Sequence, residues 1–288
     1  MSDATPRTFP TRPIVLKVGG RELLPGPTLD ALARLVAELE SRGRRVVLVH
    51  GGGEEVTERA SALGLPTERA AGQRVTSAPM LEVVIEVLAG RVSTRLVSAL
   101  GAAGVAAVGV SGVGGRLLTV RPAGEPAGAL GLVGVPDAVH PAPLAALLTS
   151  GITPVVAPIG IDADGQPRNV NADLAAGAIA AALGAELWLI TDVPGVRDGR
   201  GILCPHLTIA QARALCAAGA ATDGMVPKLQ AAGSALADGV PRAWIGSLEA
   251  LSPDGPAPGH GTMLVPGRAG RSGPSPLLPT PPLAGRRR

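Results

Sequence analysis

The chain has 288 residues, 46% hydrophobic and only 1% aromatic, a composition that excludes a disordered or fibrous protein and argues against nucleic-acid recognition by base stacking. The net charge of +3 lies at one end, because residues 266–288 hold five arginines and no acid, whereas the other residues hold 21 basic and 23 acidic side chains. We therefore expect a near-neutral body, a disordered Pro/Arg-rich tail over residues 266–288, and no nucleic-acid partner.

The predicted elements alternate between strands and helices along the chain. Residues 1–12, which include Pro6 and Pro10, are expected to form a flexible extension. A first βαβ unit is predicted from two apolar strands, Ile14–Val18 and Val46–Val49, and from apolar residues that recur at helical spacing between them, over Leu29–Leu39. Further strands are predicted at Val105–Val110, Thr153–Ala157, Leu187–Ile190 and Ala243–Ile245, and helices near 79–100, 142–150, 171–183, 208–217 and 228–238. Apolar strands separated by helices predict a three-layer α/β/α sandwich with a mainly parallel central sheet.

Two segments that break this alternation are predicted to be hairpins. One is Pro66–Thr76, and the other is Ile161–Arg168, where Asp164-Gly165 is a strong signal for a two-residue turn. Open α/β sheets bind ligands beyond the carboxyl ends of their strands. Hairpins at that edge of the sheet would serve as lids over a site.

Two uncharged stretches, Leu96–Gly115 and Ala138–Ile161, are long enough to cross a membrane. Six glycines in the first stretch and four prolines in the second argue against membrane helices. The N-terminus lacks the apolar core of a signal peptide, and two cysteines do not make a disulfide framework. These features predict a cytoplasmic protein without a membrane partner.

Runs of glycine follow the first two predicted strands. Gly19-Gly20 and Gly51-Gly52-Gly53 each lead toward a helix, where backbone N–H groups and the positive end of the helix dipole favour a phosphate or carboxylate. Because the chain has 40 glycines, the alternative is a pair of ordinary turns. Neither a P-loop nor a complete GxGxxG motif is present.

Lysine occurs only at Lys17 and Lys228, although the chain has 26 basic residues. An ammonium group is compact and mobile, whereas arginine presents a planar fork, so this choice points to chemistry that needs the compact charge. Phosphoryl transfer is such chemistry, because its catalysis consists of positioning and of neutralising charge on the moving group. The alternative is that both lysines are ordinary surface residues.

In a phosphoryl-transfer site, Lys17 would hold the transferred phosphate and Lys228 would approach from the nucleotide side. Pro227 favours this placement, since proline is tolerated in the first turn of a helix and would put Lys228 at a helix start. Asp173 could orient both ammonium groups. Alternatively, Asn169–Asp173 could simply cap the helix that follows.

The acceptor is expected to be a carboxylate. The four histidines are scattered and form neither a metal-ligand spacing nor a triad, so no metal site on the protein is predicted. A carboxylate with a pKa near ~4.3 is already ionised at neutral pH and needs no base. Arg74 is a candidate bidentate clamp for a second carboxylate of the substrate, or else a solvated arginine.

Seven segments, taken in order, resemble those of the amino acid kinase family. They span the chain from about Pro13 to Val265 and are Lys17-Val-Gly-Gly20, His50-Gly-Gly-Gly53, Gly72-Gln-Arg-Val-Thr76, Asn169-Val-Asn-Ala-Asp173, Thr191-Asp-Val-Pro-Gly195, Asp223-Gly-Met225 with Lys228, and Gly261-Thr262. The third and fourth segments most resemble the family members that phosphorylate N-acetyl-L-glutamate.

The resemblance implies transfer of the γ-phosphoryl group of ATP to the side-chain carboxylate of N-acetyl-L-glutamate, the second step of arginine biosynthesis, with Mg²⁺ carried by the nucleotide. It implies one kinase domain over residues 13–265. The acyl-amino-acid-binding lobe would be about 13–167 and the nucleotide-binding lobe about 168–265. It also implies a homodimer, joined through a helix at about Pro79–Leu100. Arginine-inhibited relatives carry an additional N-terminal helix, whereas only residues 1–12 precede the predicted kinase domain here, so we expect that arginine does not inhibit this protein.

By the same resemblance, site roles transfer position by position. Lys17 and Lys228 would stabilise the transferred phosphoryl group, and Asp173 would hold both lysines. The acylated amino acid would be bound by Gly52, Gly53, Arg74 and Asn169, and the nucleotide and its phosphates by Gly19, Gly20, Thr191, Asp192 and Lys228.

Three alternatives stay open. The substrate could be N-succinylglutamate, or an aminoadipate or glutamate linked to a carrier protein. The carrier-linked substrate should need a basic docking surface, yet Pro66–Thr76 holds only two arginines against one glutamate. The third alternative is a non-catalytic sensor of the same fold, which the loss of a lysine or of Asp173 would mark.

Overall fold

The computed structural model describes residues 9, 11–70, 73–124, 129–221 and 224–267. Most of the predicted extension and tail lies outside these residues, as do Gly72 and Asp223. The described helices are α1 (Pro27–Ser41), α2 (Gly53–Ala62), α3 (Ala78–Ile85), α4 (Ser93–Ala102), α5 (Ala142–Thr149), α6 (Ala172–Leu183), α7 (Ile209–Ala217) and α8 (Met225–Ala237). The strands are β1 (Ile14–Val18), β2 (Val46–His50), β3 (Arg69–Ala70), β4 (Gln73–Arg74), β5 (Ala107–Ser111), β6 (Leu118–Pro122), β7 (Val133–Val139), β8 (Thr153–Ala157), β9 (Ile159–Ile161), β10 (Pro167–Val170), β11 (Glu186–Ile190), β12 (His206–Thr208), β13 (Ala243–Gly246), β14 (Leu251–Ser252), β15 (Gly255–Pro256) and β16 (Thr262–Val265).

An eight-stranded sheet forms the middle layer, in the order β12-β16-β13-β11-β1-β2-β8-β5. Every neighbouring pair is parallel except β13 with β16. β1 lies near the centre, where Ile14 pairs with Val46 of β2 on one side and with Glu186 of β11 on the other. The prediction of a mainly parallel central sheet is confirmed.

Helices cover both faces of this sheet, because alternate side chains of a strand point to opposite faces. Leu16 and Leu48 pack into a core shared with α1 to α4, whereas Val15 and Val47 pack into a core shared with α5 to α8. β1 and β2 carry apolar side chains on both faces because helices cover both faces of the sheet. The charged exception is Lys17 on β1. The prediction of a three-layer α/β/α sandwich is therefore confirmed.

The two stretches considered as membrane spans are each divided among several elements. Leu96–Gly115 runs through α4 and β5, and Ala138–Ile161 runs through α5, β8 and β9. Among the described helices, none combines the length and the apolar composition that crossing a lipid bilayer requires.

A closed sheet of four strands, β6, β7, β9 and β10, is an element that the sequence pattern does not predict. β9 and β10 are the predicted second hairpin, but Ile161 pairs with Pro167, so the connection is the longer loop 162–166. The prediction of a two-residue turn was wrong because the carboxylate of Asp162 organises this loop. It accepts the N–H groups of Asp164 and Gln166 at 3.0 and 2.9 Å and pairs with Arg168 at 2.7 Å.

The helix predicted near 79–100 contains a π-helical stretch, Glu86–Val92, between α3 and α4. Such stretches are frequent at functional sites. The strand predicted at Val105–Val110 begins later, at Ala107, because the N–H of Val105 donates to the carbonyl of Leu100 in the turn that ends α4.

Candidate active site

Three charged side chains meet at the carboxyl end of β1. Lys17 lies on β1, Asp173 in the first turn of α6, and Lys228 in the first turn of α8. Lys17 Nζ lies 3.0 Å from Asp173 Oδ1, and Lys228 Nζ lies 3.4 Å from Asp173 Oδ2. The side chains of Lys17 and Lys228 are only 7% and 14% exposed, so neither is a surface lysine.

Burial and charge act against each other in this cluster. Burial alone would raise the pKa of Asp173, but the two ammonium groups hold that pKa below its ordinary value. Burial lowers the pKa of Lys228, and repulsion by Lys17 lowers it further, while attraction to Asp173 opposes both. With two ammonium groups sharing one carboxylate, the cluster has an excess positive charge that a bound anion would neutralise.

The segment Asn169–Asp173 contains both a helix cap, Asn171, and a member of the charged cluster, Asp173. Asn171 caps α6, since its side-chain oxygen accepts the N–H groups of Asp173 at 2.8 Å and Leu174 at 3.2 Å. The cap fixes the first turn of α6 and with it the position of the Asp173 carboxylate. On the other side, α8 begins at Met225, earlier than predicted, and Pro227 lies in its first turn as expected.

The two glycine turns lie backbone to backbone beside these charges. The N–H of Gly51 donates to the carbonyl of Val18 at 2.9 Å, and a Cβ on Gly20 would lie 3.3 Å from the Cα of Gly52. A Cβ on Gly52 would lie 2.6 Å from the Leu88 side chain, which the π-helical stretch brings against it. Side chains do not fit here, and the N-terminus of α2 with its backbone N–H groups is left to face an anion.

A cleft of about 210 Å³ opens beside Lys17 and Asp173. The predicted substrate-binding residues all line it, namely Gly52, Gly53, Arg74 and Asn169. Arg69 adds a further positive charge, and the apolar wall contains Val56, Val84, Leu88, Val133 and Pro158. Gly19, Gly20 and Lys228 do not line this cleft. The hairpin β3–β4 contributes Arg69, Gln73 and Arg74, which places the first predicted lid beside the cleft as expected.

Arg74 is 8% exposed, and no described carboxylate pairs with it. Its Nη2 donates to the carbonyl of Gly53 at 2.8 Å and to Thr57 Oγ1 at 2.7 Å. Burial, together with repulsion by Arg69, lowers its pKa. A guanidinium binds a carboxylate with two hydrogen bonds either through Nη1 and Nη2 or through Nε and Nη2. Both arrangements need a hydrogen of Nη2, and both of its hydrogens are already used, so Arg74 must release Gly53 or Thr57 before it can bind a carboxylate in this way.

Thr191 and Asp192, predicted to contact the nucleotide, are placed elsewhere. They follow β11 and line a second cavity, of about 580 Å³, which also contains Glu22, Ser247 and Glu249. The structure therefore does not bring Thr191 and Asp192 to the first cleft, and their assignment to the nucleotide stays a prediction.

Sequence reasoning missed an ion pair beneath the glycine turns. Arg95 of α4 donates to both carboxylate oxygens of Glu55 on α2, at 2.9 and 2.8 Å, and to the carbonyl of Leu23 at 3.1 Å. The hydrogen bonds from Arg95 lower the pKa of Glu55. No spacing in the sequence links residues on two different helices. In the sequence, the only indication of this pair is that Glu55 lies in the first helical turn after the glycine run.

The chain matches the model of the amino acid kinase family over residues 12–247. The chain belongs to the amino acid kinase family. This amino acid kinase is similar to the acetylglutamate kinase of Sorangium cellulosum (strain So ce56), with 44% identity over 281 residues that cover 92% of this chain and 99% of that one. It is also similar to the acetylglutamate kinase of Roseiflexus castenholzii, with 45% identity over 253 residues that cover 88% and 93% of the two chains.

A solved structure shares the fold of this amino acid kinase. It is the N-acetylglutamate synthase from Neisseria gonorrhoeae complexed with coenzyme A and N-acetyl-glutamate, with a TM-score of 0.75 and 26% identity. The match covers 90% of this chain and 60% of that chain. The resemblance noted from the sequence motifs is thereby confirmed at the level of family and fold.

Proposed function

We propose that this protein transfers the γ-phosphoryl group of ATP to the side-chain carboxylate of N-acetyl-L-glutamate, yielding N-acetyl-L-glutamyl 5-phosphate and ADP within arginine biosynthesis. Relatives named acetylglutamate kinase, 44% and 45% identical over most of the chain, support this substrate. The observation that carries the chemistry is the convergence of two buried ammonium groups on Asp173 beside a basic cleft.

In this mechanism the acceptor carboxylate attacks the γ-phosphorus directly, because it is ionised at neutral pH and has no proton to lose. Lys17 would neutralise charge that builds on the transferred oxygens, and Lys228 would do so from the side of the leaving diphosphate. Asp173 would hold the two ammonium groups in place before the substrates arrive. This preorganisation means that neither lysine has to be reoriented during transfer.

The glycine turns fit the phosphates of a nucleotide. Gly19, Gly20, Gly52 and Gly53 would supply backbone N–H groups to an anion, and the two turns lie so close together that a Cβ on Gly20 or Gly52 would crowd its neighbours. Mg²⁺, carried by the nucleotide phosphates, would withdraw charge from the group being transferred. Thr191 and Asp192 would contact the nucleotide from beyond β11.

The other end of the substrate would be held in the cleft. Arg74 and Asn169 would bind the α-carboxylate of N-acetyl-L-glutamate, and Gly52 and Gly53 its reacting carboxylate. This division assigns the acylated amino acid to residues 13–167, with Asn169 just beyond, and the nucleotide to residues 168–265. Arg74 would exchange its bond to Thr57 or Gly53 for a bond to the substrate.

We further propose that the protein works in the cytoplasm as a homodimer joined through the helical segment 79–100. Size-exclusion chromatography with light scattering tests the dimer. A mass of twice the chain is expected, and a monomer or a hexamer would contradict it.

Trapping of the acyl phosphate with hydroxylamine tests the reaction. The purified protein with MgATP is expected to form the hydroxamate from N-acetyl-L-glutamate much faster than from L-glutamate. N-succinyl-L-glutamate is the third substrate in the same assay, and faster turnover with it would replace the acetyl group in the proposal. Failure to form any hydroxamate, with protein shown to be folded, would contradict the kinase function and favour a sensor.

A further inference from the structure

Thr76 and Asn169 are fixed on either side of one short segment of the chain, residues 130–132. The N–H of Thr76 donates to the carbonyl of Leu130 at 3.0 Å, and the N–H of Leu132 donates to the carbonyl of Thr76 at 2.7 Å. From the other side, the N–H of Asn169 donates to the carbonyl of Leu132 at 2.9 Å. The backbone therefore sets the separation of the two side chains, independently of any ligand.

The hydroxyl of Thr76 determines which atom of Asn169 can face it. Thr76 is fully buried and donates its single hydroxyl hydrogen to the carbonyl of Arg74 at 3.2 Å. Its oxygen then accepts from Asn169 Nδ2 at 3.1 Å, so both hydrogen bonds of the hydroxyl are made. With the amide flipped, the single hydroxyl hydrogen would face two acceptors, Oδ1 of Asn169 and the carbonyl of Arg74, and one of these hydrogen bonds would be lost.

This orientation decides what Asn169 offers to the cleft that it lines. Oδ1 accepts a hydrogen bond from no described residue, and one hydrogen of Nδ2 also remains. An acylated amino acid carries an amide N–H next to its α-carboxylate, which supplies a donor and an acceptor in adjacent positions. Those two groups match Oδ1 and the remaining Nδ2 hydrogen.

We propose that Thr76 is a positioning residue that holds the Asn169 amide in the single orientation able to recognise the acylamino end of the substrate. The inference rests on the proposed function, because it takes Asn169 to contact the acylated amino acid. Thr76 itself does not line the cleft and touches no reacting atom. Its effect is therefore expected on binding of the amino-acid substrate and not on phosphoryl transfer.

The matched pair Thr76→Val and Thr76→Ser tests this role. Valine keeps the volume of threonine and removes the hydroxyl, whereas serine keeps the hydroxyl. Thr76→Val is expected to raise the KM for N-acetyl-L-glutamate on the order of tenfold, the size of one lost hydrogen bond in a ligand contact. The KM for ATP and kcat should stay within about twofold of the wild-type values, and Thr76→Ser should restore the KM for N-acetyl-L-glutamate to within about threefold.

A double-mutant cycle with Asn169→Ala shows whether Thr76 acts through Asn169. In the Asn169→Ala background, adding Thr76→Val should change the KM for N-acetyl-L-glutamate by less than about twofold. An equally large effect in both backgrounds, or a parallel rise in both KM values, would mean that Thr76 is merely structural. Should Thr76→Val not fold, Thr76→Cys gives the same comparison, because its thiol is a weaker acceptor of similar size.

The outcomes separate this inference from the proposed function. If wild-type protein makes acyl phosphate and Thr76→Val leaves the KM for N-acetyl-L-glutamate unchanged, the positioning role is wrong and the kinase function stands. If wild-type protein makes no acyl phosphate from N-acetyl-L-glutamate, the proposed function itself is wrong.

Discussion

Lys17 and Lys228 contact different oxygens of the same carboxylate, that of Asp173, although one lysine lies on a strand near the start of the chain and the other on α8. The shared carboxylate keeps two like charges close together in a buried place, where their repulsion would otherwise be large. The two ammonium groups are thus positioned before any ligand binds, and because Asp173 neutralises only one of their two charges, they can bind a further anion.

Replacing Lys17 by alanine is expected to lower kcat by about 10²- to 10³-fold, because a preorganised positive charge is removed from the transferred group. Lys17→Arg should also lose most activity, since a planar guanidinium does not occupy the place of a compact ammonium. Steady-state hydroxamate kinetics measure both variants. Arg34→Ala, on the exposed face of α1, is the matched control for loss of one positive charge. Near-normal turnover of Lys17→Ala would show that the assigned role is wrong.

Replacing Asp173 by asparagine should destabilise the fold by about 3 kcal/mol at neutral pH, because two buried ammonium groups lose their shared partner. The pKa of Asp173 is depressed in the folded state, so its contribution is complete above the unfolded pKa of about 3.9 and is lost as pH falls through the lower folded value. Urea unfolding at pH 7, 5 and 3.5 measures this. The difference in unfolding free energy between wild type and Asp173→Asn should become smaller at the lowest pH. A difference that does not change with pH would contradict the depressed pKa of Asp173.

The glycine turns give a paired comparison at neighbouring positions. Gly52→Ala should lower stability by about 2 kcal/mol and abolish most activity, because its Cβ would lie 2.6 Å from the Leu88 side chain. Gly53→Ala keeps the backbone N–H, and its Cβ would meet nothing nearer than Arg69 at 4.0 Å. The thermal unfolding temperature should therefore change little in Gly53→Ala. An equal loss of thermal stability in both variants would show that crowding at Gly52 is not the reason for glycine there.

The Arg95–Glu55 pair should contribute more to stability than a surface pair nearby, Arg59–Glu86, which joins α2 to the π-helical stretch. Arg95→Met is expected to cost about 2 kcal/mol, since it leaves the Glu55 carboxylate, whose side chain is 7% exposed, without its donors. Arg59–Glu86 is the control, with 37% and 52% exposure, and Arg59→Met should change stability by no more than about 0.5 kcal/mol. Denaturant unfolding measures both variants, and similar losses would contradict a special role for Arg95.

The fold and the charged cluster were predictable because their signals are local. Apolar runs mark β1 and β2, and the rarity of lysine singles out Lys17 and Lys228 in a chain that otherwise uses arginine. The closed four-stranded sheet was not predictable, because β6 pairs with β9 and β7 pairs with β10, strands that are distant in the sequence. The Thr57 contact to Arg74 was missed for the same reason, since nothing in the sequence relates one turn of α2 to a hairpin.

The position of β1 in the sheet has a consequence for Lys17. β1 pairs with β2 on one side and β11 on the other, so both edges of the strand that carries Lys17 are held by parallel neighbours. Asp173 and Lys228 lie instead in the first turns of two helices. Any displacement of the Lys17 backbone would therefore have to disturb two strand pairings at once.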